Sequence, residues 1–409
     1  MSSEQSSSVG ANHTSHTPEI PERNIPVVAF LGPSGTFTEM AMLEVAGRGW
    51  CDTPPTTTRA GVTRTGTSEA EDAGPESTGA EATAPIDAHG HCIVPLPVDS
   101  PRHAVDAVIH GRADWACVAI ESSVEGPVTR TFDALAGAHP LQIYREIAIP
   151  IAFSILVRPD TRPQDITTWS AHPVARPQVT SWIDHHLPPT ADFVAARSNA
   201  AAAEMVARGE VDAAAAPARA GQLYGLHSLA DSVADVAGAQ TRFVLVGKPG
   251  KSTAHTGRDR TSVVFNVRNE PGALARTLTV VSSNGVDLTR IESRPTRKAL
   301  GEYRFYMDMS GHISDPHVAT ALQHLHRTVQ VLRFLGSWPM DDGPHVSTAA
   351  GQATTSDTVT RSDTVAAASN MNPAQPSTAT TATPAEWFTA QEWVAHRAEG
   401  IAPETDVLW

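Results

Sequence analysis

Cysteine is scarce in this chain. Cys51, Cys92 and Cys117 are its three; they cannot all pair with one another, and none stands in a CxxC or Cys/His pattern of zinc spacing. A disulfide framework is therefore not expected, and neither is a metal. Basic charge is also in deficit: 30 Lys and Arg against 44 Asp and Glu leave a formal net charge of −14. Such a surface repels phosphate polymers and anionic membranes, so neither nucleic acid nor a membrane is the expected partner. Long apolar runs are missing too. The strongest, 147–157, contains Pro150 and falls far short of the roughly 20 residues that span a bilayer. The first residues lack a basic start followed by an apolar core, so no secretory signal is expected and a cytoplasmic protein is.

What is present suffices for a globular protein. The chain has 409 residues, 41% of them hydrophobic, enough for two or three separately cored domains. A polar leader over 1–26 predicts disorder, and the apolar run 27–31 begins the folded part as a buried strand. Residues 53–90 are rich in Thr, Ala, Glu, Gly and Pro; a segment with so little to bury does not offset its ordering entropy and reads as a disordered insertion. From there to 248, short β-rich runs alternate with helical patterns, which predicts an α/β domain with a mixed or parallel sheet. The run 147–157 reads as one strand. A helix near 177 and a strand near 192–195 suggest a second lobe inserted in the first, and two lobes leave a cleft suited to a small molecule.

After a Gly, Lys and Thr-rich linker, strands at 261–267, 286–294, 302–309 and 331–336 and helices at 272–284 and 316–329 spell βαββαβ, a ferredoxin-like order. This second domain spans 261–339. Residues 341–409 read as a mostly disordered tail with one amphipathic helix over 386–398 in a mobile setting.

Four segments of the first domain could carry chemistry. Gly32-Pro33-Ser34-Gly35-Thr36 joins a strand to a helix, and its backbone N–H groups suit a carboxylate, although Thr36 or Thr38 as a plain helix cap explains it as well. Glu121, Ser122 and Ser123 end a buried strand, where an α/β crevice opens; turn and cap chemistry is the alternative. His172, before Pro173, and the pair His185-His186 read as structural. Gln240-Thr241-Arg242-Phe243 is by propensity an ordinary strand entry.

Together these segments resemble the prephenate dehydratase family over about 27–340. The resemblance rests on LGPSGTFTEMA, AIESSVEGPV, HPVARPQ, DVAGAQTRFVLVGK, and the GAL and ESRP segments of the second domain, all in the family's order. It implies a two-lobed, periplasmic-binding-protein-like (type II) catalytic domain over 27–248, followed by an ACT regulatory domain. It also implies a cofactor-free lyase that converts prephenate to phenylpyruvate, water and carbon dioxide in phenylalanine synthesis, inhibited by phenylalanine. By the same resemblance Thr241 is the proton or hydrogen-bond donor and Glu121 its catalytic companion. Ser34, Gly35, Thr36, Ser122, Ser123, Gln178 and Arg242 bind substrate, with Arg242 either anchoring a carboxylate or entering a structural ion pair. Phenylalanine is assigned to Gly272, Ala273 and Leu274 and to Glu292, Ser293, Arg294 and Pro295, at an interface between ACT domains of a homodimer or homotetramer.

The chain departs from the family at three positions. Ser122 stands where Asn is common, Ala171 where Ser precedes the His-Pro, and Ala196 where some members are acidic. Arogenate dehydration and a non-catalytic amino-acid sensor are the competing readings.

Overall fold

The computed structural model describes residues 25–49, 93–137, 140–341 and 384–401. Nearly all of the expected leader, the insertion expected over 53–90 and most of the expected tail lie outside these residues.

The first lobe is built from β1 (Val27–Leu31), α1 (Phe37–Gly47), β2 (Val94–Val98), α2 (Pro101–Ile109), β3 (Trp115–Ser122), the two-residue β4 (Gly126–Pro127), α3 (Thr129–Leu135) and β5 (Gln142–Pro150). The uninterrupted apolar strands are covered on both faces, as a central strand of an α/β sheet must be. Val28 and Phe30 of β1, with Trp115 and Cys117 of β3, face α1. Ala29, Ala116 and Val118 face α2 and α3 on the other side.

The chain then leaves for a second lobe: β6 (Ser154–Val157), β7 (Thr168–Ala171), α4 (Thr180–His186), β8 (Asp192–Ala195), α5 (Asn199–Ala207), β9 (Ala213–Ala216), α6 (Ala218–Tyr224) and β10 (His227–Ala230). Its strands lie in the order β10-β6-β9-β7-β8. Strand β11 (Gln240–Gly247) returns to the first lobe, whose order is β2-β1-β3-β11-β5, with β1 parallel to both its neighbours and β11 antiparallel to both of its own.

The run 147–157 is therefore two strands in two sheets, not one. Pro150 has no N–H to continue the ladder, and the chain crosses between lobes at 151–153, where Phe153 enters the core of the second lobe. Apolarity alone does not mark this break, because both sides of the crossing are buried.

The second domain has the predicted βαββαβ order: β12 (Asp259–Asn266), α7 (Ala273–Ser283), β13 (Leu288–Pro295), β14 (Tyr303–Ser310), α8 (Pro316–Thr328) and β15 (Val331–Pro339). Its antiparallel sheet runs β13-β14-β12-β15. Strand alternation divides its side chains between two cores. Val263, Phe265, Met307 and Met309 pack under α7 and α8, whereas Val264, Tyr306 and Trp338 join Val118, Phe132 and Val246 of the first domain in a single cluster. The Tyr306 hydroxyl donates to the Phe132 carbonyl at 2.6 Å.

The helix expected in a mobile tail is present as α9 (Pro384–Ala398), but it is docked. Ala390, Trp393 and Val394 are buried, and the Trp393 ring lies 5.0 Å from that of His326 on α8.

Candidate functional site

β1 and β3 run parallel and β11 antiparallel to them, so the carboxyl ends of β1 and β3 and the amino end of β11 share one edge of the sheet. That edge carries the turn 32–36, residues 121–125 and residues 240–242. Both crossings to the second lobe leave from it, with the Ile151 N–H bonded to the Ala239 carbonyl at 2.8 Å. The second lobe thus closes over the edge where the sequence places its candidates, the usual site of an α/β crevice.

Among the described residues, two polar side-chain contacts bridge the lobes. Gln178 Nε2 donates to Glu125 Oε1 at 3.1 Å and to the Val174 carbonyl at 3.1 Å. Arg219 on α6 donates through Nε to Glu39 Oε2 on α1 at 2.6 Å. Between them, Gly35 has φ +92°, and a Cβ there would stand 3.1 Å from Ala220 and 3.4 Å from Ala200 of the second lobe. Only glycine meets both demands.

The turn at 34–36 is largely occupied by its own chain. The Gly35 N–H donates to Glu39 Oε2 at 2.8 Å, so a protein carboxylate holds the donor that the sequence suggested for a substrate. Thr36 is the helix cap: its Oγ1 accepts from the Glu39 N–H at 3.2 Å and donates to the Leu31 carbonyl at 2.9 Å. Ser34 is exposed, and its hydroxyl has no partner among the described residues.

On β3, Ser122 Oγ accepts from the Val124 and Glu125 N–H groups, both at 3.2 Å, and Ser123 Oγ accepts from the Gln240 N–H at 2.9 Å. Each hydroxyl keeps its own proton to donate. His172 is structural: its Nδ1 accepts from the Val174 N–H at 3.2 Å, while burial, and secondarily Arg130, lowers its pKa.

Thr241 sits opposite Ser122 on one side and Ile149 on the other. It is partly exposed, and no other described residue hydrogen-bonds its hydroxyl. Alternation sends its side chain to one face of β11 and that of Arg242 to the other.

Arg242 goes to the domain interface. Its Nη2 meets Glu121 Oε2 at 2.7 Å and Asp308 Oδ2 at 3.1 Å, and its Nη1 meets Glu146 Oε2 at 2.9 Å. Of the two roles open to Arg242, the ion pair is the one it occupies. Burial acts to lower its pKa, but the Asp308 and Glu146 carboxylates, then Glu121, outweigh burial and raise it. For Asp308, burial pushes the carboxyl upward, and Arg290, Arg242 and Arg260 together hold it well below the usual range. Glu121 reaches the cleft edge as an acceptor already bound to a guanidinium.

Sequence reading took Glu39 only as an acid near the dipole of its helix and missed Arg219, Glu146 and Asp308. The last two had a signal: a lone acid inside an apolar strand, at Arg145-Glu146-Ile147 and Met307-Asp308-Met309, needs a buried partner. Arg219, in an alanine-rich stretch, had none.

In the second domain, Gly272 caps α7 at φ +76° with no side-chain hydrogen bond. Ala273 is buried, and Leu274 packs at the edge of the core. Glu292, Ser293, Arg294 and Pro295 end β13, one of the two edge strands of the sheet. Arg294 lies 3.3 Å from Asp133 of α3. No hydrogen bond joins 272–274 to 292–295 among the described residues.

Among the described residues, no group of three or more His, Cys, Asp or Glu side chains is placed to hold a metal ion. No helix among them is long and apolar enough to cross a membrane.

Fold and site together define a two-lobed α/β domain with polar residues at the edge between its lobes and a ferredoxin-like domain packed against its first lobe. Comparison narrows this class. The profile of the prephenate dehydratase family matches residues 73–251, and that of the ACT domain matches 261–327. A prephenate dehydratase of Corynebacterium glutamicum is 43% identical over 374 residues, 91% of this chain and 97% of its own. The crystal structure of prephenate dehydratase from Arthrobacter aurescens in complex with L-Phe has a TM-score of 0.63 at 37% identity, covering 77% of this chain and 90% of its own. GqqA, described as a novel type of quorum quenching acylase, has a TM-score of 0.58 at 27% identity, covering 77% of this chain and 98% of its own. The chain belongs to the prephenate dehydratase family, and its second domain is an ACT domain.

Proposed function

We propose that this protein is a lyase that converts prephenate to phenylpyruvate, water and carbon dioxide, with Thr241 as the donor to the departing oxygen. In this reaction the ring carboxylate leaves as carbon dioxide. Its bonding pair completes the aromatic ring, and the carbon–oxygen bond opposite breaks. The driving force lies in aromatisation, so the protein must hold the substrate and ease the loss of hydroxide as water.

The observation that carries the reading is Thr241: a hydroxyl without a partner among the described residues, on the sheet edge beneath the second lobe, on a strand whose next residue is fixed by ion pairs to Glu121, Glu146 and Asp308. An alcohol is a weak acid, so Thr241 acts by a hydrogen bond that strengthens as charge develops on oxygen, and the proton that turns the departing hydroxide into water comes from solvent. Ser34 and the free protons of Ser122 and Ser123 supply further donors for carboxylates, and Gln178 closes the far side. Amide cleavage by an acylase would call for an activated nucleophile, and no histidine is hydrogen-bonded to a cleft serine or threonine among the described residues.

Phenylalanine is the proposed effector, bound by Gly272 to Leu274 and Glu292 to Pro295 of neighbouring ACT domains in a cytoplasmic homodimer or homotetramer. The position of β13 at an edge of the sheet supports a site completed by a second copy.

The test is phenylpyruvate formation from prephenate by wild type, Thr241→Ser and Thr241→Ala, with arogenate as a parallel substrate. Thr241→Ala should lower kcat about 10²–10⁴-fold without a change in melting temperature, since its hydroxyl makes no internal bond, and Thr241→Ser should retain most of the rate. Added phenylalanine should slow the wild type. Full activity in Thr241→Ala would end the role given to Thr241, and a preference for arogenate would reassign the substrate.

A further inference from the structure

The charged cluster beneath β11 is divided between the two domains. The first supplies Glu121, Glu146 and Arg242; the second supplies Arg260, Arg290 and Asp308. Alone, the first set has one excess negative charge and the second one excess positive charge. Together they balance.

Their bonds interlock. Arg290 grips Asp308 in a fork, Nε to Oδ2 and Nη2 to Oδ1, both at 2.9 Å. Arg260 donates through Nε to Glu146 Oε2 at 2.9 Å, and the Trp338 indole N–H donates to the same oxygen at 3.0 Å. Arg242 joins the halves. With side-chain exposures of 1% for Asp308, 2% for Glu146 and 12% for Arg242, these groups lie where an unpartnered charge is costly, so the cluster holds one arrangement or breaks.

Arg242 also bears directly on the site. It adjoins Thr241 on β11, and its cross-strand partner is Glu121, next to Ser122, the partner of Thr241. On the other side, Arg290 lies on β13, two residues before the segment Glu292 to Pro295, with its guanidinium 4.5 Å above the Phe132 ring of α3.

We infer that Asp308 and Arg260 of the ACT domain are positioning residues for the reaction: acting through Arg242 and Glu146, they fix where β11 presents Thr241 and where β3 presents Glu121. The inference rests on the dehydratase reading for its kinetic consequence, but its structural content stands apart from activity. It makes the effector domain part of the framework of the catalytic site. It also places Asp308 between the phenylalanine segment and Thr241.

The test compares full-length Asp308→Asn, Arg260→Gln and Arg260→Lys with wild type by steady-state kinetics and by amide hydrogen exchange. Asp308→Asn and Arg260→Gln should lower kcat at least about tenfold while KM stays within about threefold. Exchange should quicken at 119–123 and 240–243 and stay unchanged on α5 of the second lobe. Arg260→Lys, which keeps the charge, should recover most of the rate. If Asp308→Asn fails to fold, the Arg260 pair carries the comparison. Wild-type kcat in a folded Asp308→Asn or Arg260→Gln, or unchanged exchange at 119–123 and 240–243, overturns the inference. A wild type that makes no phenylpyruvate overturns the dehydratase reading instead, and exchange alone then decides whether the ACT residues order the two strands.

Discussion

Glu39 performs three tasks with one side chain. It lies in the first turn of α1, where the helix dipole favours an acid, it accepts the Gly35 N–H, and it binds Arg219 across the cleft. Glutamine in its place keeps the shape and the Gly35 bond but loses the charge. Glu39→Gln is therefore expected to lower stability by about 1–2 kcal/mol, the difference between a charge-assisted bond and a neutral one, measured as a fall in the urea midpoint. A midpoint equal to wild type would mean that Arg219 contributes nothing across the cleft. Partners of this kind are hidden in sequence by distance along the chain. Glu39 and Arg219 are 180 residues apart, and Arg242 is 121 from Glu121 and 66 from Asp308. The role proposed for Thr241 draws on the motif around it, because a threonine at a strand entry is commonplace.

Elements were more legible than their neighbours in space. The strands and helices of the second domain fall within a residue or two of their expected bounds, except that β15 runs three residues past its expected end to Pro339, since alternation and helical spacing are local properties. The split at Pro150 was hidden because both halves of the run are apolar, and the docking of α9 because an amphipathic pattern does not name its partner. That docking has a testable consequence. The Ala398 carbonyl accepts from the Ser252 N–H at 3.4 Å, and Gly400 stands so close to Gly250 and Lys251 that no Cβ would fit. Trp393 is 7% exposed; Trp393→Ala should cost about 3 kcal/mol and free α9 from α8. Trypsin should then cut after the exposed Lys251 faster than in wild type. An unchanged cleavage rate would show that α9 does not protect the linker.

At the scale of the whole molecule, the two domains meet through an apolar cluster, the buried charged cluster around Asp308, and the ion pairs of Asp133 with Arg294 and Arg297; acid discriminates the charged contacts from the apolar one. Asp308 has a folded-state pKa below its ordinary value of 3.8, so its contribution is fully present above that value and is lost as pH falls from there toward the folded-state value. At pH 6, Asp308→Asn should be less stable than wild type by about 3–5 kcal/mol, the usual effect of removing one partner from a buried ion pair. The gap in urea midpoints should narrow as pH drops below 3.8; a constant gap would mean that the carboxylate charge is not what Asp308 contributes. The path of the chain between lobes has a different consequence. Pro150 and Gln240 are paired residues on adjacent antiparallel strands, so β5 and β11 are the arms of a hairpin in which residues 151–239 replace the turn. The second lobe is in this sense a removable loop. A short turn joining Pro150 to Gln240 would leave every strand of the first sheet with its neighbours and Thr241 in its ladder, but without Gln178 and Arg219 to close over it. The fold thus separates the sheet that holds Thr241 from the lobe that carries Gln178 and Arg219.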